Sequence, residues 1–481
     1  MFKNTPESWP IVSAQNLISE SLGGVNPASV PNETFELFSI PGFDSGSPEV
    51  VKGKSIGSNK QLVKEGQVLL SKINPRISRV WIVKPNTSFR AIASTEWIAF
   101  NCNGVFIDRF LKYFLSTEPV RVYLASKVTG SGGSLQRVNK NTVSQLNVPL
   151  PPRGEQLRIV AKIESTQEKI KIIEECTTRA KELMGKYRES ILQKAFRGEL
   201  VSQDPNDEPA SQILDHIQAN RAKQIDGKKK KDDLLFAQPG EIPFEVPKSW
   251  AWVRLGEIAS SITDGDHQTP KRTSSGEVML SAKNIRDGFL SFDDTDFISK
   301  ADYVKSRERC CPAKGDLLMV SVGATIGRCA VVKDKSNFSL VRSVALIRCE
   351  ALNSDLLYFL MQTNFLKRQI KDSQKSTGQP CLYLRAIGNL LVPLIPKQEQ
   401  TRITEALLSK LTIMSSIKEQ IAEIENICSV GEESVLATAF SGRLVPQIKG
   451  EGTGHELLIK IKSNQSSQAD GKAETKKRVK A

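Results

Sequence analysis

Two phrases of the chain, PLPPRGEQLR at 149–158 and PLIPKQEQTR at 393–402, are nearly identical and lie about 244 residues apart. They belong to a larger pattern. Trp9 in ESWPIV answers Trp250 in KSWAWV, and EGQVLLSKI (65–73) answers KGDLLMVSV (314–322). TGSGGSLQRV (129–138) answers STGQPCLYLR (376–385), and ILQKAFRGELV (191–201) answers VLATAFSGRLV (435–445). Matched segments in one order at nearly one offset make the chain two copies of a unit of roughly 200 residues. A duplicated chain whose copies satisfy each other has a local two-fold axis, and this constrains the fold more than any propensity does.

Each copy has two parts. The first, 1–148 and 249–392, mixes short β-branched runs (RVWIVKP, WIAFNC, VALIRC) with Gly, Asn and Asp turns and one longer helical stretch. These read as two mixed α/β (α+β) domains. The second part, 149–200 and 393–445, is periodic. Ile159, Ile163, Thr166, Ile170, Ile173, Thr177, Ala180, Met184, Tyr187 and Ile191 alternate steps of four and three. The same steps run through Ile403, Leu407, Lys410, Met414, Ile417, Ile421, Ile424, Cys428, Gly431 and Val435. That alternation is the seam of a left-handed coiled coil. The expected architecture is therefore two domains separated by two long helices that pair as an intramolecular antiparallel coiled coil. About 40 helical residues would make a rod of roughly 60 Å.

The repeated phrase sits at the joint. Pro151, Pro152 and Pro396 end the preceding strand, and Glu155 and Glu399 fall in the first helical turn, where a carboxylate suits the helix dipole. Residues 201–248 read as a linker with a short amphipathic helix, and 446–481 as a disordered basic tail.

The formal charge is +14, from 67 Lys and Arg against 53 Asp and Glu, which points to an anionic partner, nucleic acid first. A basic chain with two similar domains held apart is built to touch a polymer at two places. Its frame repeats but its loops do not: SGGSLQRVNK is unlike GQPCLYLRAI. Such a chain would read an asymmetric, gapped DNA sequence, where identical subunits would read a palindrome.

Little in the chain suggests catalysis. No G-x-x-x-x-G-K-[ST] loop occurs, and NVPLPP (147–152) lacks the aromatic of an adenine methyltransferase motif. DGDH (264–267) reads as a tight Asp-Gly turn, and with three scattered histidines and no C-x-x-C among eight cysteines no metal site is expected. Free thiols, no signal pattern in MFKNTPESWP, and no stretch near the ~18 apolar residues of a span give a cytoplasmic expectation.

Base edges are read by Arg or Lys on guanine and Asn or Gln on adenine. The candidates in the second domain are His267, Gln268, Thr269, Lys271 and Arg272, followed by Lys375, Gln379 and Arg385. In the first domain they are Lys72, Asn74, Arg76, Arg79, Gln136 and Arg137. Phe196 and Phe440, in matched helix ends, are candidates for a partner interface; each ring would either sit in the core or bury against a partner, with the core favoured for the ring and partner contact for the surface around it.

The paired phrases PLPPRGEQLRIVAKIE and PLIPKQEQTRITEALL, the helix ends LQKAFRGELV and LATAFSGRLV, the linker DPNDEPASQIL and the opening VPKSWAWVRLGEIA resemble specificity subunits of type I restriction–modification systems. DGDHQTPKR and GATIGRCAVV resemble phrases of their target recognition domains. The resemblance implies a non-catalytic subunit with two target recognition domains in the DNA major groove. It implies two methyltransferase subunits and, in the full complex, two restriction subunits as partners. S-adenosylmethionine, ATP and Mg would then sit on those partners, with no cofactor in this chain. A stand-alone bipartite DNA-binding regulator is the alternative, and it would bind its site tightly without partners.

Overall fold

In the computed structural model, residues 5–128, 136–224, 237, 239–266, 268, 270–333, 337–375 and 380–459 are described. The chain divides into two compact units, one formed by 1–177 with 421–481 and the other by 178–420. Each unit therefore combines one α/β domain with the beginning of one long helix and the end of the other.

In the first unit, strand Ile11–Ser13 closes antiparallel on Asn147–Pro149, with Val12 opposite Val148. Between them lie a five-stranded sheet in the order Gly24–Val25, Lys60–Leu62, Arg90–Ser94, Thr34–Phe38, Glu49–Lys52, and a three-stranded sheet centred on Val68–Ser71. Helix Asp108–Leu115 turns Phe110, Leu111, Phe114 and Leu115 into the core. The second unit repeats the closure: Ala251–Arg254 pairs antiparallel with Leu391–Leu394, Val253 opposite Val392. It holds a four-stranded sheet (Ser261–Asp264, Val344–Arg348, Leu317–Val320, Cys329–Val331) and a three-stranded one around Glu277–Leu280. Leu317–Val320, with strands on both sides, is buried at every position, which is why it reads as an unbroken apolar run.

The long helices run Arg153–Arg197 and Lys397–Phe440, 45 and 44 residues. In the first unit Ile159, Val160 and Ile163 share a core with Ala439 and Phe440. In the second, Ile191, Leu192, Ala195 and Phe196 share one with Ile403, Leu407 and Met414. The start of one helix thus meets the end of the other in each unit, as antiparallel pairing requires.

The seam is narrower than the spacing suggests. Ile163, Ile170, Thr177 and Ile191, and Leu407, Met414, Ile421 and Cys428, are buried at steps that are multiples of seven. Ile173, Ile417 and Ile424 on the other expected stripe are 38%, 40% and 40% exposed, and Tyr187 is also exposed. Along the middle of the helices only one of the two lines is covered, whereas a two-stranded seam packed knobs-into-holes would cover both.

The Glu, Gln and Arg of the repeated phrase each make a contact, and these contacts repeat. The indole N–H of Trp9 donates to Glu155 Oε2 at 2.9 Å, and that of Trp250 to Glu399 Oε2 at 2.8 Å. The Gln156 amide donates to the Pro151 and Val105 carbonyls and accepts from the Ile107 N–H. Gln400 does the same with Ile395, Ala351 and Asn353. Arg158 pairs with Glu451, and Arg402 forms a bidentate pair with Asp207.

The acids and amides that close each joint come from the segment after the long helix of the other repeat. Gln203 donates to Glu399 and accepts from Ser249, while Gln447 donates to Ser8. Those segments are launched by Gly198 (φ 75°) and Gly442 (φ 73°), which close the helices with Glu199 N–H to Lys194 O and Arg443 N–H to Thr438 O. A Cβ at either glycine would collide with Pro247 or Pro6, three residues before each tryptophan. Residues 446–459, expected in the tail, are therefore held against the first domain, with Leu457 and Leu458 packed on its core. Residues 460–481 and the Lys228–Lys231 run lie outside the described residues.

Candidate nucleic-acid interface

Sheet register decides which loops share an end. In the second domain Asp264 lies opposite Ala345 and Val320 opposite Val344. The loops that follow Asp264 and Val320 and the one that precedes Val344 therefore leave the same end of the sheet. Asp266 bridges Val341, Ser321 N–H donates to Ser343 O, and Val322 bridges Cys381. The described residues of the two candidate clusters of this domain, 268 and 270–272 and then 375 and 380–385, are thus brought to one edge although about 100 residues separate them.

The loop after Asp264 is fixed at both ends. Asp264 is buried and paired with Arg309 at 2.7 Å. At the far end Thr273 N–H donates to Phe297 O, and Arg272 Nε meets Asp296 Oδ2 at 2.9 Å. Gln268 and Lys271 are exposed between these anchors, and Arg272, although paired, is itself 59% exposed. His267, Thr269 and Gln379 lie outside the described residues. Lys375 exchanges both backbone hydrogen bonds with Cys381, and its ammonium stands 5.6 Å above the ring of Tyr383. Tyr383 is 51% exposed and Arg385, two residues on, is exposed as well.

The first domain builds the same junction from different residues. Ile73 bridges Arg137 where Val322 bridges Cys381. Val138 N–H donates to Lys72 O as Leu382 N–H does to Ser321 O. Asn74 (φ 47°) takes the left-handed turn that Gly323 (φ 102°) takes in the second copy, and their N–H groups donate to Gln136 O and Pro380 O. This brings Lys72, Asn74, Gln136 and Arg137 together. Lys72 and Lys140 line a cavity of 160 Å³ with Gln61 and Thr95. Arg137 is 55% exposed and pairs with Glu96, and Arg76 is exposed.

Arg79 departs from this group. Its guanidinium grips Asp44 through Nε at 2.8 Å and Nη2 at 3.1 Å, and only 12% of its side chain is exposed. The Arg79 hydrogen bond holds the Asp44 carboxyl below its usual range. Arg79 is a candidate from the sequence as a cation able to read guanine, and in the structure a long-range acid pairs with it. Sequence reasoning also passed over Lys140, Arg342 and Tyr383, all exposed beside these junctions. An aromatic between Lys375 and Arg385 in sequence was the available signal for Tyr383.

The phenylalanines of the matched helix ends are core. Phe196 is 2% exposed, and Phe440 is fully buried against Phe110 and Phe114, with ring centroids at 5.2 and 5.5 Å. Burial pushes the Cys310 thiol up to about 12, as suits an inert structural thiol. No helix of the described residues is long and apolar enough to cross a membrane.

A family model described as "Type I restriction modification DNA specificity domain" matches residues 25–182 and again 247–426. Among curated proteins, the chain is similar to the type I restriction enzyme EcoKI specificity subunit of Escherichia coli K12, 21% identical over 87% of this chain and 86% of that one. It is similar to the EcoBI specificity subunit of Escherichia coli, 24% identical over 77% and 75%. A stretch of 225 residues is 32% identical to the Escherichia coli EcoAI specificity subunit and spans 38% of that protein. Among solved structures, the HsdS subunit from Thermoanaerobacter tengcongensis superposes with a TM-score of 0.55 at 21% identity, over 92% of this chain and 98% of that one. A chain from a study of complex assembly and conformational transition of the type I R-M system gives 0.63 at 21% identity, over 92% and 100%.

Proposed function

The chain belongs to the type I restriction–modification DNA specificity family, and we propose that it selects an asymmetric, gapped DNA target for the methyltransferase and restriction subunits of such a system. The observation that carries this reading is the repeated junction. Two domains keep the same backbone pairings, Ile73 with Arg137 and Val322 with Cys381, while the side chains around them differ. A constant frame with unlike side chains is what two readers of unlike half-sites need.

In this reading Gln268, Lys271 and Arg272 and the pair Lys375 and Arg385 contact one half-site, and Lys72, Asn74, Arg76, Gln136 and Arg137 the other. The long helices set the spacing between them. Cations on exposed, long side chains supply phosphate contacts, which fix register without carrying sequence. Methyl transfer and cleavage belong to the partners, two of each kind in the full complex, together with S-adenosylmethionine, ATP and Mg.

The test is to co-express the chain with its methyltransferase subunit and map adenine methylation by long-read sequencing. One gapped motif is expected, and replacing 249–392 with the corresponding segment of another family member should change one half of it only. Tight site-specific binding by the chain alone, with no methylation in the complex, would instead favour a stand-alone regulator. A continuous motif would refute the two-reader geometry.

A further inference from the structure

The joint between each domain and its long helix is the most closely repeated chemistry in the chain. Trp9–Glu155 and Trp250–Glu399 have the same donor, the same acceptor atom and distances of 2.9 and 2.8 Å. The glutamine that follows ties the same three kinds of backbone group in both copies. The sheets beyond the joints are different in strand number and order. A feature held constant while the reading surfaces diverge serves something common to both readers.

The placement shows what that is. Trp9 and Trp250 each stand within two residues of the strand that opens a domain, and Glu155 and Glu399 in the first turn of the helix that leaves it. The bond therefore fixes the angle between a domain's entry strand and its helix. It is buried at both ends: Trp9 is 3%, Glu155 2%, Trp250 6% and Glu399 1% exposed. Apolar packing alone would tolerate small rotations about the Pro151–Pro152 or Pro396 hinge, but a buried charge-assisted hydrogen bond is directional and is costly to break without a replacement partner.

We propose that the tryptophan–glutamate joints, Trp9–Glu155 and Trp250–Glu399, are positioning elements that set how strictly the protein holds to the one gap length its long helices define between the two half-sites. They touch no base. They fix the direction in which each domain leaves its helix, and so the phase at which the two reading edges meet the duplex. A base pair added to the gap turns one half-site by about a tenth of a helical turn, so a stiff joint rejects it and a loosened joint admits it. The inference rests on the proposed function, and its test separates the two.

The experiment uses the chain assembled with its methyltransferase subunit and three duplexes carrying the motif with its native gap, one base pair longer and one shorter. The reading is the ratio of initial methylation rates, native over shifted. Trp250→Phe keeps the ring and removes only the donor, and Glu399→Ala removes the acceptor. Both are expected to lower the ratio about tenfold or more, the scale of one buried hydrogen bond to a charged group. Base preference within each half-site should not change. Glu399→Gln, which keeps an oxygen facing the indole, should retain the ratio. An unchanged ratio in Trp250→Phe and Glu399→Ala overturns the proposal, whether or not the overall rate falls, because a merely structural role slows all three duplexes alike. Loss in Glu399→Gln equal to that in Glu399→Ala also overturns it, since charge and not the bond would then be responsible. Failure of the wild-type complex to show any gapped motif would instead refute the underlying function.

Discussion

Replacing Phe440 by alanine should open the first domain, although Phe440 ends a helix that begins more than 240 residues after that domain's own helix. The ring is fully buried, packs edge-on against Phe110 and Phe114, and shares a core with Ile159 and Ile163. Truncating a buried Phe costs about 3–5 kcal/mol through lost transfer energy and the cavity left behind. The fully buried site and its two aromatic neighbours place this change at the upper half of that range. Hydrogen exchange read peptide by peptide is the assay, because the chain has two units and a single melting temperature would merge them. Amides of Asp108–Leu115 and Trp97–Phe100 should exchange at least about a hundredfold faster, the equivalent of about 3 kcal/mol. Strands Leu317–Val320 and Val344–Arg348 in the other unit should keep their protection. Acceleration below about fivefold, or equal acceleration in both units, would refute the placement of this ring in the first core. Unchanged exchange with weakened methyltransferase binding would make it a partner contact.

Four further outcomes follow from the geometry. Burial raises the carboxyls of Glu155 and Glu399 above their ordinary 4.5, so the folded chain holds these protons more tightly than the unfolded one. Their contribution is whole below 4.5 and is lost as pH rises through the raised values; the melting temperature of the wild type should therefore fall relative to Glu399→Gln as pH climbs from 4.5 toward neutrality, and parallel curves would disprove it. Arg79→Ala and Asp44→Ala should lower thermal stability slightly and equally while leaving the methylated motif unchanged; a relaxed motif in Arg79→Ala alone would return that residue to the reading surface. Arg76→Ala should weaken binding to all DNA sequences and reduce the salt slope of log K by about 0.9, whereas Gln268→Ala should relax one motif position and spare the slope. Ending the chain after Val445 removes the Gln447–Ser8 and Glu451–Arg158 contacts and should expose Asp108–Leu115 to exchange, with no change in Leu317–Val320.

What could be read from the sequence was whatever repeats at a fixed offset or a fixed period. The duplication, the long helices and the joint phrase all show themselves this way, since each copy serves as the other's comparison. The partners inside the joint did not. Glu155 and Glu399 were assigned to the helix dipole, a local argument, and the structure gives each a tryptophan 146 and 149 residues away. Heptad spacing marked Ile173, Ile417 and Ile424 as seam, because period reports which side of a helix is apolar and not how much neighbouring structure covers it. The recognition candidates rest on side-chain chemistry alone. The structure brings Lys72, Asn74, Gln136 and Arg137 to one junction, while Arg79 pairs with Asp44, the last residue of a short helix 35 residues earlier that no local reading of the sequence connects to it.

The division of the chain also orders its synthesis. The unit formed by 178–420 is continuous, and every residue it needs has been made once Gln420 leaves the ribosome. The unit that begins at the N-terminus still lacks residues 421–459 at that moment, including Phe440 and Glu451. At about 5–20 residues per second, the first domain waits roughly 12–50 s after Thr177 is made before its last core segment starts to appear. The domain translated first is the one completed last, with its apolar helix face uncovered in the interval.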